Sequence, residues 1–184
     1  MVFAAIQKGR ACRPRNSRLV LAALAAYLPS AMQAQTFYYD DSQDKPWVEL
    51  QAELPKFPES TNLVRIALET MKAFEVAVDA KSISIGEDGV IRFVLVATSP
   101  SGARNVSFEG IRCETRERRL IAIGKADSTW GVVKSSKWNS YADNSRSPHN
   151  ELSREYFCPR LGRVKTAGDA LENIRRGGAS RADR

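Results

Sequence analysis

The sequence predicts a mostly β protein of the α+β class, with a single antiparallel sheet of about six short strands, a short C-terminal helix and one disulfide. Three observations favour this fold. Short apolar segments recur between residues 62 and 133, tight turns join them, and two cysteines stand at positions 113 and 158. Because parallel strands need long crossover connections, turns as tight as these indicate antiparallel pairing.

The first predicted hairpin lies at the start of this region. Asn62–Leu68 is apolar and contains β-branched residues, and apolar side chains alternate with polar or small ones over Phe74–Asp79. The residues between them, 69–73, are interpreted as the hairpin connection. A single helix over residues 62–72 is the alternative that the pattern leaves open.

A central strand is predicted over Val90–Thr98. Its nearly continuous apolarity indicates a strand that is covered on both faces. Gly86–Gly89 precedes it and Ser99–Gly102 follows it, and both segments have the composition of tight turns. The remaining predicted strands are further short apolar segments between turns: one from Val106 that ends near Cys113, then 120–124 and 129–133. Ile83 and Ile85 lead into the turn at Gly86.

The regions outside the strands are predicted from their composition. Residues 35–58 are rich in acids, prolines and aromatics, which predicts an extended arm with one helical turn near 47–53. A short helix is expected over His149–Phe157, at the end of a β-rich domain that spans residues 59–159. Residues 160–184 are basic and poor in apolar side chains, and we expect a disordered tail in which any helix is marginal.

The first 34 residues have the pattern of a secretory signal peptide. Basic residues lie between positions 8 and 18, Leu19–Leu28 is apolar, and small or polar residues lead to Ala34. Ten apolar residues rise only about 15 Å as a helix, which is half of a membrane's hydrocarbon core. We therefore expect cleavage near Ala34, a periplasmic or secreted product, and no transmembrane segment in the mature chain. A buried or amphipathic N-terminal helix is the alternative.

The basic character of the chain belongs to its two ends. The net charge is +7, but residues 1–34 hold five basic residues and no acid, and residues 159–184 hold seven basic and three acidic residues. The middle, residues 35–158, holds sixteen basic and eighteen acidic residues. Since a nucleic-acid footprint requires positive charge on the folded domain, we expect no nucleic-acid partner.

Two cysteines remain once Cys12 leaves with the signal peptide. Export to an oxidising compartment then predicts a Cys113–Cys158 disulfide. The bond closes a loop of about 46 residues, and the chain-entropy model gives it a stabilising contribution on the order of 4 kcal/mol. A zinc site needs more ligands than two thiols and one histidine, so we expect neither a metal nor a cofactor.

The sequence contains no recognisable catalytic set. His149 is the only histidine, and it stands in a polar segment that predicts a solvated loop. Asp79 and Glu109 are candidates for acid–base chemistry, because partial burial on a strand would raise the pKa of a carboxyl group. The alternative is that both acids face outward and pair with Arg92 or Arg112 across the sheet.

Aromatic residues supply a second group of candidates. If they are exposed together they form a binding face for a peptide or a sugar, and if they pack inward they cover the open side of the sheet beside the disulfide. This group consists of Trp130, Trp138, Tyr141, Tyr156 and Phe157. The candidate binding residues of the whole chain are Asp79, Glu109, Arg112, Trp130 and Trp138.

Several motifs between residues 47 and 159 point to a family. They are Val78–Asp79, Ser82–Gly86, Asp88–Phe93, Ser101–Ala103, Asn105–Cys113, Trp130, Trp138 and Tyr156–Pro159. With these motifs the chain resembles the cryptic neisserial protein-like domains of exported proteobacterial proteins, and Glu109–Cys113 is the most specific part. The resemblance implies export, but it assigns no catalytic or binding role to any residue.

Export, a disulfide-bonded core and the lack of a catalytic set favour a non-enzymatic binding module of the cell envelope. Its expected partner is an envelope protein or a cell-wall component. One alternative is a small hydrolase or isomerase that uses Asp79 or Glu109 with Arg112. Another is a structural or assembly component whose basic tail contacts anionic lipid or a protein.

Overall fold

The computed structural model describes residues 46–159 and 162–178. The predicted signal peptide, its cleavage site near Ala34 and the first part of the predicted arm lie outside the described residues. Within the described residues, no helix is both long enough and apolar enough to cross a membrane.

An antiparallel sheet forms the framework, as predicted. Its strands are β1 (Leu63–Ile66), β2 (Glu75–Asp79), β3 (Ser84–Ile85), β4 (Val90–Thr98), β5 (Arg104–Arg112), β6 (Glu117–Gly124), β7 (Trp130–Val132) and β8 (Asn139–Ser140). The order is β1-β2-β4-β5-β6-β7, while β3 pairs with β4 and β8 pairs with β6. The described residues form eight strands, two more than predicted. The additional ones are β3 and β8, which pair over only two residues each and are too short to predict from the sequence.

The first hairpin and the central strand follow the predicted pattern. β1 pairs antiparallel to β2, with Leu63 opposite Asp79 and Ile66 opposite Val76, so the alternative helix over residues 62–72 is wrong. A short 3-10 turn, Glu69–Met71, lies within the connection. β4 lies between β2 and β5 and is buried along nearly its whole length, because both faces of the sheet are covered.

Helices cover one face of the sheet, here called the helix-covered face. The first, α1 (Pro148–Leu152), continues directly into a π-helical turn, Ser153–Phe157, and the second is α2 (Ala167–Arg175). Alternate side chains of β4 point to this face, including Phe93, whose ring centroid lies 4.6 Å from that of Phe157. The predicted helix over residues 149–157 is thus present, with a change of helix type in its middle.

The arm covers the opposite face, here called the arm-covered face. Its described part, residues 46–58, is extended and contains no helical turn, so the turn predicted near 47–53 is wrong. Phe57 of the arm packs against a second apolar cluster that includes Val94, Val96 and Phe108. Prolines and contacts with the sheet, which the next section describes, hold this segment extended.

The prediction of a disordered tail is wrong for residues 162–178. A capping box between Thr166 and Asp169 begins α2, and the side chains of Val164, Ala170 and Ile174 are buried in the core of the helix-covered face. A helix this short is marginal alone, but burial of one apolar stripe stabilises it in the folded domain.

The predicted disulfide is confirmed. Cys113 follows the last residue of β5 and Cys158 follows the π-helical turn, and their Cα atoms lie 5.6 Å apart. The bond therefore ties the helical segment to the sheet that it covers.

Candidate functional site

The segment Glu109–Cys113 contributes to both faces of the sheet. Side chains alternate along a strand, so Glu109, Ile111 and Cys113 point toward the helices and Gly110 and Arg112 point toward the arm. Each predicted site residue can be placed relative to this segment.

Glu109 is buried beneath α1 and is bound by two side chains. Its carboxylate lies 2.7 Å from Nε2 of His149 and accepts a hydrogen bond of 2.6 Å from Oγ of Ser107. Burial alone would raise the pKa of Glu109, but the hydrogen bonds from His149 and Ser107 hold that pKa below its ordinary value.

Three expectations about this pair are therefore wrong. His149 is not a solvated loop residue, because it lies in the first turn of α1 with its side chain largely covered. Glu109 does not pair with Arg92 or Arg112, and its pKa is not raised. The contact joins residues that are 40 positions apart, and no local pattern in the sequence signals it.

Asp79 lies at the end of β2 on the arm-covered face, opposite Leu63. Its carboxylate accepts a hydrogen bond of 3.1 Å from the backbone N–H of Lys81, and burial raises its pKa. The alternative that Asp79 faces outward and pairs with Arg92 or Arg112 is wrong, because Asp79 is buried and both arginines bind other acids. It borders an open cavity of about 380 Å³. Because Glu109 points to the other face, the sheet separates the two acids, and the structure does not bring them together as an acid–base pair.

Arg112 lies in an aromatic and ionic cluster at the N-terminal end of the arm. Its guanidinium is 3.7 Å from the ring centroid of Trp47 and 5.7 Å from that of Trp138, and it donates a hydrogen bond of 2.9 Å to Glu117. The rings of Trp47 and Trp138 pack edge to face, with their centroids 5.9 Å apart. Arg112 is thus paired with Glu117 and not with either predicted acid.

Trp138 packs against the sheet at Gly110. A Cβ atom at Gly110 would come within 3.1 Å of Cη2 of Trp138, so a residue without a side chain is what allows the close approach. Nε1 of Trp138 donates a hydrogen bond of 3.0 Å to Glu49 of the arm, and Glu49 also accepts a hydrogen bond from Arg119.

Trp130 fastens the other end of the arm. Its Nε1 donates a hydrogen bond of 2.8 Å to the backbone carbonyl of Pro55, and its ring centroid lies 5.2 Å from that of Phe57. Trp130 and Trp138 therefore pack between the sheet and the arm, while Tyr141, Tyr156 and Phe157 are buried on the helix-covered face. The predicted aromatic group is divided between the two faces and does not form one exposed surface.

A buried ion pair that the sequence analysis did not single out holds the middle of the arm. Nη2 of Arg92 lies 2.6 Å from Oδ2 of Asp88, and both side chains are almost fully buried. Asp88 accepts a hydrogen bond of 2.9 Å from the backbone N–H of Leu50, and Arg92 donates one of 2.8 Å to the Leu50 carbonyl. Burial would raise the pKa of Asp88, but the bonds from Arg92, Leu50 and Val90 keep it lowered. From the sequence, Asp88 is expected in a turn and in a family motif, with no assigned contact.

Several exposed side chains of the arm are apolar, and they stand among exposed polar ones such as Gln51, Glu53 and Lys56. Trp47 is 39% exposed, Val48 73%, Leu50 45% and Leu54 43%. These four residues are called the exposed arm row. A contiguous exposed apolar patch marks an interaction surface, whereas single exposed apolar side chains are common.

Together these features define a disulfide-bonded, single-sheet domain with an N-terminal arm fastened across one face. The chain belongs to the CNP1-like family, whose model matches residues 42–175. This confirms the resemblance found in the sequence, and the match extends to the described arm and to the end of α2. No curated protein and no solved structure matches the chain.

Proposed function

We propose that the chain is exported and acts in the periplasm as a non-enzymatic binding domain for another protein of the cell envelope. The exposed arm row is the observation that carries this proposal. The N-terminal pattern of basic, apolar and small residues supports export, and the Cys113–Cys158 bond suits an oxidising compartment.

The arm presents its apolar side chains at low entropic cost. Its backbone is held at Leu50 by Asp88 and Arg92, and at Pro55 by Trp130, so the segment between these anchors is already fixed before a partner arrives. Binding therefore orders few additional groups, which favours affinity for a given contact area. A partner with an apolar surface would cover Val48 and Leu54.

The positions of the polar candidates support a role other than catalysis. Asp79 and Glu109 lie on opposite faces, Arg112 is engaged by Glu117, and His149 is engaged by Glu109. No observation in the described structure assembles the hydrolase or isomerase site that the sequence left open. Glu109 instead links α1 to the sheet, and Asp79 accepts a single hydrogen bond from the backbone of Lys81.

Export is tested by fractionating cells and sequencing the N-terminus of the purified product. We expect the protein in the periplasmic fraction, beginning close to Gln35, with Cys113 and Cys158 protected from thiol alkylation. A cytoplasmic protein that retains residues 1–34 would contradict this part of the proposal.

Binding is tested by in-vivo crosslinking in the periplasm followed by purification of the tagged chain. The wild type is compared with Val48→Ser/Leu54→Ser, and the matched control Phe74→Ser/Ile123→Ser removes exposed apolar side chains elsewhere. We expect one discrete adduct that the arm variant loses and the control keeps. An adduct pattern that does not respond to the arm substitutions would contradict the proposal.

A further inference from the structure

A cavity of about 380 Å³ opens where the arm passes the end of β2. Pro55 and Phe57 of the arm form its apolar part, and the acids Glu59 and Asp79 and the bases Lys56 and Lys81 line the rest. Groups of both charges and an apolar wall thus share one concave surface.

Asp79 is the buried charge of this cavity. The residue is only 3% exposed, and among the described residues its carboxylate forms no ion pair and accepts one hydrogen bond, from the backbone of Lys81. A carboxylate that is removed from water without a cationic partner is costly, so a bound ammonium group would offset that cost. Burial raises the pKa of Asp79, and the backbone hydrogen bond and the charge of Lys81 oppose that rise only in part.

The lysines supply the opposite charge at the mouth of the cavity. Lys56 and Lys81 are both exposed, and neither forms an ion pair with another described residue. Their ammonium groups are available to an anion that enters the cavity, whereas Asp79 lies deeper. The site therefore presents a buried negative group and outer positive groups.

From this arrangement we propose that the cavity binds a small zwitterion, such as a free α-amino acid or a dipeptide. The ligand's ammonium group would contact Asp79, its carboxylate would contact Lys81 or Lys56, and its side chain would pack against Pro55 and Phe57. Trp130 is a positioning residue, because it holds the Pro55 carbonyl and the Phe57 ring in place. This site is independent of the protein partner proposed above.

Isothermal titration calorimetry of the purified protein tests the ligand class. The probes are L-alanine, D-alanine, L-leucine, L-lysine and dialanine, and the single-charge analogues are ethylamine and propionate. We expect at least one zwitterion to bind about tenfold or more tightly than both analogues, because each charge contributes a charge-assisted contact. If none of the zwitterions binds, or if an analogue binds equally well, the proposal is wrong.

Substitutions test the assigned residues. Asp79→Asn keeps an oxygen acceptor for the Lys81 N–H and removes the charge, so we expect a folded protein whose zwitterion affinity falls about tenfold or more. Lys81→Met should weaken binding of the zwitterion, and the control Lys125→Met, on the exposed turn between β6 and β7, should not. Unchanged affinity in folded Asp79→Asn would overturn the proposal. Loss of this site would leave the arm-dependent adduct intact, so the two proposals fail separately.

Discussion

Nε2 of His149 lies 2.7 Å from a carboxylate oxygen of Glu109, and this contact anchors α1 on the sheet. Glu109 belongs to the central strand pair β4–β5, and His149 belongs to the short helix that precedes the disulfide-bonded turn. The pair therefore forms a polar link between the helical layer and the sheet.

Removal of the imidazole should leave Glu109 buried without its main partner. We expect His149→Ala to lower the free energy of unfolding by about 3 kcal/mol, the usual cost of breaking a buried polar pair. Urea denaturation at neutral pH measures this. In the Glu109→Gln background the same substitution should cost much less, because a neutral amide tolerates the missing partner. Equal losses in both backgrounds would show that the two side chains are not coupled.

The Asp88–Arg92 pair should make stability depend on pH. The pKa of Asp88 is lowered in the fold, so the unfolded chain takes up a proton first as the pH falls. The stabilisation is present above the ordinary carboxyl value of 3.8 and is lost as the pH falls through the lower folded value. Asp88→Asn should therefore cost about 3 kcal/mol at neutral pH and progressively less in acid.

Thermal unfolding of Asp88→Asn and the wild type from neutral to acid pH provides the measurement. The matched control is Glu114→Gln, which changes an exposed acid in the turn after Cys113. If the difference in melting temperature between Asp88→Asn and the wild type stayed constant across the whole pH range, the assigned role of the ion pair would be contradicted.

The ion pair between Asp88 and Arg92 occupies the space next to Gly86, where any other residue would place its side chain. A Cβ atom at Gly86 would lie 2.2 Å from Oδ1 of Asp88 and 2.7 Å from Nη1 of Arg92. We expect Gly86→Ala to destabilise the protein by about 2 kcal/mol through overpacking. In contrast, Gly168→Ala in the first turn of α2 meets only an ordinary contact of 3.5 Å and should stabilise by up to about 1 kcal/mol. Calorimetric melting of both variants tests the contrast, and a neutral Gly86→Ala would refute it.

The packing of α2 against the core predicts a large effect of a substitution in this C-terminal helix. Ile174 is buried, so Ile174→Ala should cost about 2 to 4 kcal/mol. The neighbouring Arg175 is exposed, and Arg175→Ala should change stability by less than about 0.5 kcal/mol. Chemical denaturation of the full chain distinguishes them. If the two substitutions behaved alike, residues 162–178 would not belong to the folded domain.

The sheet could be predicted from the sequence because the patterns that indicate its strands and turns are local. Alternation over Phe74–Asp79, continuous apolarity over Val90–Thr98 and tight turns between neighbouring strands each act within a few residues. The disulfide could also be predicted, since the expected loss of Cys12 with a signal peptide leaves Cys113 and Cys158 to pair.

The polar contacts of the site could not be predicted from the sequence in this way. Glu109 meets His149, and Asp88 meets the backbone of Leu50, only after distant segments have folded onto the sheet. The burial that stabilises α2 is likewise a tertiary effect, and its short apolar stripe is too weak a signal alone. The motif Glu109–Cys113 divides its contacts between the two faces of the sheet, and the partners on each face come from distant segments.

Site-specific photo-crosslinking in living cells tests the central claim most directly. A photoreactive amino acid replaces Val48 in the exposed arm row, and the control replaces Ser101 in the exposed turn between β4 and β5. We expect irradiation to give one discrete protein adduct in the periplasmic or envelope fraction from position 48 and none from position 101. No adduct from position 48, or the same adducts from both positions, would contradict the assignment of the arm as a binding surface.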